Sequence, residues 1–137
     1  PEFVEFSTKD GLTLPGLLYK AKGKTALIYL HGNGSSSVFY NETKNHPLAS
    51  TLVGQNVSAF FFNNRGAHII KKLHVRKGKK DERKSFGMAY EKIKECIYDI
   101  DGALAFLKKA GYRTFYLAGA STGANKICVY NFYKLFS

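Results

Sequence analysis

Residues 3–8 (Phe3, Val4, Glu5, Phe6, Ser7, Thr8) alternate apolar with polar, which predicts an edge strand with one wet face. Lys9-Asp10-Gly11 reads as a turn of the Asp-Gly hairpin type, and residues 12–20 as the returning strand. Pro15 has no N–H to give a ladder, so an edge position or a bulge is expected there. After a turn at residues 21–24 the period changes. Residues 25–30 and 57–62 are nearly continuous apolar runs, as in strands buried on both faces. Residues 46–55 between them read as helix. From 90 to 109, Ile93, Ile97, Ile100, Leu104 and Leu107 recur at helical spacing, with Gly111 as the C-cap. Residues 113–118 have the composition of a fifth, short buried strand, and a last amphipathic helix starts at Gly123. Residues 64–88, Gly-containing and heavily charged, read as a loop or small excursion. A hairpin followed by alternating buried strands and helices predicts one α/β domain over residues 1–137, its mostly parallel sheet covered by helices.

Composition narrows the class. Hydrophobic residues make up 45% of the 137 and aromatics 15%, which suits a globular domain with a sizeable core and not a disordered chain. No apolar run approaches the roughly 18 residues that span a bilayer, so no membrane partner is expected. Pro1-Glu2-Phe3 lacks a basic-then-apolar leader, which reads as cytoplasmic. Cys96 and Cys128 fall in predicted helices without metal-ligand spacing and read as small buried hydrophobes of a reducing compartment. The net charge of +11 is concentrated in residues 71–84, which hold eight basic and two acidic residues. No aromatic residue interrupts that run to stack bases and no nucleic-acid motif surrounds it. A mobile, solvated surface segment is expected, without specific nucleic-acid binding.

Two stretches carry candidate chemistry. Gly119-Ala120-Ser121-Thr122-Gly123 fits G-x-S-x-G between a strand and a helix. In a nucleophile elbow the serine sits on a strained turn at the end of a sheet, and its flanking residues must be small because chain and helix pass close. Ala120 and the glycines Gly119 and Gly123 meet that demand. Ligands of such sheets bind beyond the carboxyl ends of the strands. That points to the loop after the third strand, His31-Gly32-Asn33-Gly34-Ser35-Ser36-Ser37. A glycine-rich loop there can aim backbone N–H groups at an oxyanion, with a second donor from Thr122. Neither phosphate-cradling glycine pattern is present. His31, at the strand end, is expected to be structural.

The order strand, His-Gly-x-Gly, helix, strand, helix, strand, G-x-S-x-G resembles the N-terminal half of the α/β-hydrolase superfamily. Residues 8–19, the stretch Phe62-Asn63-Asn64-Arg65-Gly66-Ala67-His68, and residues 89–100 resemble more particularly a group of largely uncharacterised microbial members. The resemblance runs over essentially the whole chain. It implies Ser121 as nucleophile, the N–H groups of Asn33 and Thr122 as an oxyanion hole, and no metal or organic cofactor. Many relatives have histidine where Ala120 stands. Arg65 and His68 match motif positions without an assigned role, and a fold-supporting Arg–carboxylate contact is the expectation for Arg65.

In this superfamily the triad order is Ser…Asp/Glu…His. The sixteen residues after Ser121 contain no Asp, Glu or His, so the general base and its orienting acid are missing from this stretch. An upstream substitute, His31 or His68, would be a new arrangement. The expectation is thus an apparently truncated serine hydrolase of small ester-, thioester- or amide-like substrates, inactive alone. The alternative is a non-catalytic binding module of the same fold, and a basic nucleic-acid binder ranks below both. By the same resemblance residues 113–118 come last in the sheet, which leaves an open edge for self-association.

Overall fold

Phe60, Phe61 and Phe62 are all fully buried, which consecutive strand residues can be only if both faces of their sheet are covered. The computed structural model describes residues 1–40 and 42–136. It places the three in β4 (Val57–Phe62), the middle strand of a five-stranded sheet. The others are β1 (Glu2–Ser7), β2 (Thr13–Tyr19), β3 (Thr25–Leu30) and, numbered in chain order, β7 (Thr114–Gly119). Their order is β1-β2-β4-β3-β7. β4, β3 and β7 run parallel, while β1–β2 and β2–β4 pair antiparallel.

Side-chain alternation splits the core in two. Phe60, Phe62, Ile28 and Leu30 face one layer with Ile100, Ala103 and Leu107 of α2 (Cys96–Lys109) and Tyr130 of α3 (Thr122–Phe136). Phe61, Ala59, Leu17 and Tyr19 face the other, against Ala49, Leu52 and Val53 of α1 (Glu42–Gly54). The architecture is the mixed α/β sheet with an antiparallel N-terminal hairpin that the patterning predicts.

Several local expectations are corrected. β2 is not an edge strand, since it lies between β1 and β4. Pro15 is tolerated because its carbonyl, accepting Asn63 N–H at 3.0 Å, faces β4 just beyond that strand's end, where no ladder needs a proline N–H. β7 is not buried but lies at the sheet's edge, with Tyr116 57% exposed. α1 starts before residue 46 and carries Pro47 inside it. The helix expected from Tyr90 begins only at Cys96, after two 3-10 turns, Met88–Tyr90 and Ile93–Glu95. Glu91 breaks it by adopting an extended conformation. Cys96 is buried as expected, whereas Cys128 is exposed.

The largest difference lies in residues 64–88. Residues 71–86 form a second, two-stranded antiparallel sheet of β5 (Lys71–Lys77) and β6 (Lys80–Phe86). Lys77 pairs with Lys80, so Gly78 takes the first central position of a two-residue turn with φ +58°, as a type II′ hairpin requires. Leu73, Val75 and Phe86 pack this sheet onto the core.

Candidate active site

The carboxyl ends of β3, β4 and β7 carry three loops that hold one another. The β3 loop turns tightly at Gly32–Ser35 (Ser35 N–H to Gly32 O, 3.2 Å), with Gly34 at φ +66°. Asn63, the first residue after β4, clamps this loop through its Oδ1, which accepts N–H from Ser37 (2.6 Å) and Val38 (2.9 Å). His68 N–H donates to Ser35 O at 3.1 Å. His31 is spent on the same framework. Its Nε2 accepts Asn64 N–H at 3.2 Å, so Nδ1 carries the proton and donates to Gly32 O at 2.9 Å. Burial lowers its pKa to about 4, helped by the nearby Lys126 and Lys71 charges, although the Gly32 bond opposes the shift. A neutral ring with both nitrogens occupied is structural, as expected.

Ser121 stands at the strand-to-helix turn with φ +53°, a left-handed conformation that is strained for an L residue. Ala120 N–H, bonded to Leu30 O at 3.1 Å, extends the β3–β7 ladder up to the turn. Gly123 N–H to Ala120 O (2.8 Å) and Ala124 N–H to Ser121 O (3.0 Å) then start α3. The flanking glycines are sterically required. A Cβ on Gly119 would lie 2.5 Å from the Gly123 carbonyl carbon, and one on Gly123 would run into the Leu30 carbonyl.

The β3 loop reaches this turn: a Cβ on Gly32 would sit 3.6 Å from that of Ser121. Asn33 is exposed at the first central position of the Gly32–Ser35 turn. Thr122 opens α3, so its N–H belongs to the first-turn donors without an intrahelical acceptor. A cleft of about 250 Å³ lies beside them, walled by Tyr29, Gly32, Ser35, Lys44, Asn45 and Ala120.

Neither candidate base is hydrogen-bonded to the Ser121 hydroxyl among the described residues, and His68, which is exposed, is held in place through its backbone. Among those residues no three of His, Cys, Asp or Glu converge as a metal site would need.

Arg65 is a fold-supporting hub. Fully buried, it meets Asp99 through Nε (2.9 Å) and Nη2 (2.8 Å), and Asp10 through Nη1 (2.7 Å) and Nη2 (2.9 Å). Burial works against ionisation of Asp10, but the hydrogen bonds from Arg65 and Thr8 outweigh it and lower its pKa.

Sequence reasoning missed a second buried pair, Lys126 with Glu91 at 2.7 Å, which ties the first turns of α3 to the segment before α2. Gly66 leaves room for the Glu91 carboxylate. Lys71, at the start of β5, donates to Asn64 O at 3.1 Å, and burial brings its pKa down to about 8. The departure of Lys126 from an otherwise apolar helix stripe was the signal available.

No protein-family model matches the chain, and neither does any curated protein. Solved structures do match. The α/β hydrolase GrgF from Penicillium sp. sh18 superposes with TM-score 0.69 at 21% identity, over 94% of this chain and 40% of that one. The Pyrococcus furiosus esterase Pf2001 gives TM-score 0.66 at 21% identity, over 91% and 42%. Est1E from Butyrivibrio proteoclasticus, solved with ferulic acid bound, gives TM-score 0.65 at 18% identity, over 96% and 48%. The chain therefore spans two-fifths to one-half of the length of these structures, and it has the fold of the N-terminal part of an α/β hydrolase.

Proposed function

We propose that this chain is the nucleophile-bearing part of a serine hydrolase acting on a carboxylic ester, thioester or amide. The observation that carries the reading is Ser121 at φ +53° between β7 and α3, flanked by two glycines whose hydrogens are sterically demanded. Ser121 Oγ attacks the acyl carbon, the bond to the leaving group breaks, and water then hydrolyses the acyl-enzyme. The N–H groups of Asn33 and Thr122 receive the oxyanion, and the neighbouring cleft receives the substrate. The proton of Ser121 needs a base. His31 is engaged and His68 makes no hydrogen bond to the Ser121 hydroxyl among the described residues, so the base and its acid are proposed to lie outside this 137-residue stretch.

The engagement of both His31 nitrogens by backbone groups also favours a second reading, a binding module that keeps the fold without the chemistry. p-Nitrophenyl ester hydrolysis by the purified chain, beside Ser121→Ala, separates the two. In plain buffer both proteins are expected near background. With imidazole added as an external base, the chain is expected to exceed Ser121→Ala. Equal rates in imidazole favour the binding module. Fast turnover in plain buffer that Ser121→Ala abolishes would mean a base within the chain, with His68 the next residue to replace.

A further inference from the structure

The basic run at residues 71–84 acquires a shape once it is a hairpin. β5 and β6 pair with each other and with no strand of the main sheet, although Arg76 N–H donates to Gly11 O (2.8 Å) in the β1–β2 turn. Their inner side is anchored by Leu73, Val75 and Phe86. Alternation turns Lys72, His74 and Arg76 of β5, and Arg83 of β6, to the opposite side, where all four are exposed. The turn adds Lys77, Lys79 and Lys80, also exposed. The two carboxylates of the arm are already engaged: Asp81 by His74 (2.8 Å) and Arg76 (3.3 Å), Glu82 by Lys84 (3.4 Å). A cationic excess remains.

At the root of the arm, Ile69 and Ile70 are 63% and 59% exposed. They are held there by the backbone, since Ala89 N–H donates to Ile69 O at 3.0 Å. A Cβ on Gly87, at φ +101°, would lie 2.7 Å from the same oxygen. One residue earlier, His68 N–H is bonded to the β3 loop of the candidate site. Two adjacent exposed isoleucines beside a cationic arm combine the two attractions that bring a protein onto a charged bilayer: apolar insertion and Coulombic attraction to anionic headgroups.

We propose that the β5–β6 arm and Ile69–Ile70 form a docking surface for an anionic lipid bilayer. Nucleic acid fits the same charge less well. The arm's one Phe, Tyr or Trp is Phe86, packed on the core, so nothing stacks on bases, and the isoleucines would have no role. No helix among the described residues is long and apolar enough to cross a membrane, but that constrains spanning and not surface docking. The proposal does not rest on Ser121, so vesicle binding and ester turnover fail separately.

The test is co-sedimentation of the chain with phosphatidylcholine vesicles, with and without phosphatidylglycerol, at physiological salt. Binding to the anionic vesicles should exceed binding to the neutral ones by about tenfold or more. Lys77→Glu/Lys79→Glu/Lys80→Glu should lower it by about a hundredfold, and Ile69→Ser/Ile70→Ser by about tenfold. The isoleucine variant should bind a short duplex DNA as the parent does. Failure to bind anionic vesicles, or equal binding to both kinds, overturns the proposal. So does anionic-vesicle binding that the isoleucine variant retains and duplex DNA matches, which would make the arm a general polycation.

Discussion

Ser121 and His31 show how backbone geometry assigns roles that residue type leaves open. A serine at φ +53° costs about 1–2 kcal/mol over an extended one, and such strain persists only where the surroundings impose it. Here the absence of side chains at Gly119 and Gly123 lets the turn close against the start of α3 and the Leu30 carbonyl. His31 stands beside the same turn, but its two nitrogens hold loops together, and its folded pKa of about 4 lies below the ordinary 6.5. Above pH 6.5 neither folded nor unfolded chain protonates this group, and its contribution is flat. Between 6.5 and 4 the unfolded chain takes a proton that the fold refuses, so stability falls as pH falls, and below 4 both states carry the proton. At about 1.4 kcal/mol per pH unit the loss across that window is about 3 kcal/mol. Urea unfolding at a series of pH values measures it, and a profile flat through the window would contradict the burial of the neutral ring. Asp10 acts in a lower window. Its folded pKa is depressed below 3.8, so the stability it lends through Arg65 is present above 3.8 and is lost below it.

The strands β1, β3 and β4 and the turn from β7 into α3 were legible because each follows one period or one short motif. The hairpin was not, because its apolar positions, Leu73, Val75 and Phe86, are three among lysines and arginines that belong to its wet side. Pro15 misled for a related reason: a missing N–H matters only where a partner strand asks for it, and β4 has ended there. The late start of α2 depended on a contact distant in sequence. Glu91 leaves the helical path to meet Lys126, 2% exposed, on α3. Breaking a buried pair by removing one partner strands the other charge. Lys126→Ala should therefore cost about 3 kcal/mol in urea unfolding, whereas Lys126→Met combined with Glu91→Gln should recover most of that. Equal losses for the two variants would mean that packing volume, and not charge, holds α3 to this segment.

At the scale of the whole molecule, the structure supplies the β3 loop and the serine turn of a hydrolase-like sheet, and β7 forms its margin. Thr114 and Ala120 donate their N–H groups toward β3 (to Lys24 O at 3.2 Å and Leu30 O at 3.1 Å). Alternation then turns the N–H and C=O groups of Phe115, Leu117 and Gly119 to the other side, where no strand pairs among the described residues. From Thr114 to Gly119 there is no charge or proline to blunt that edge, and Tyr116, Phe132 and Leu135 are 57%, 57% and 76% exposed nearby in the chain. The 137-residue chain is predicted to self-associate through β7. Sedimentation at roughly tens of micromolar tests this, and a stable monomer would show that the edge is covered. The role proposed for Ser121 is that of a nucleophile whose base lies elsewhere. Treating the chain with an alkyl fluorophosphonate in imidazole buffer, and mapping the adduct by peptide mass spectrometry, tests that role. One modified residue is expected, Ser121, with labelling abolished in Ser121→Ala. Modification spread over Ser35, Ser36 and other serines, unchanged in that variant, would contradict it.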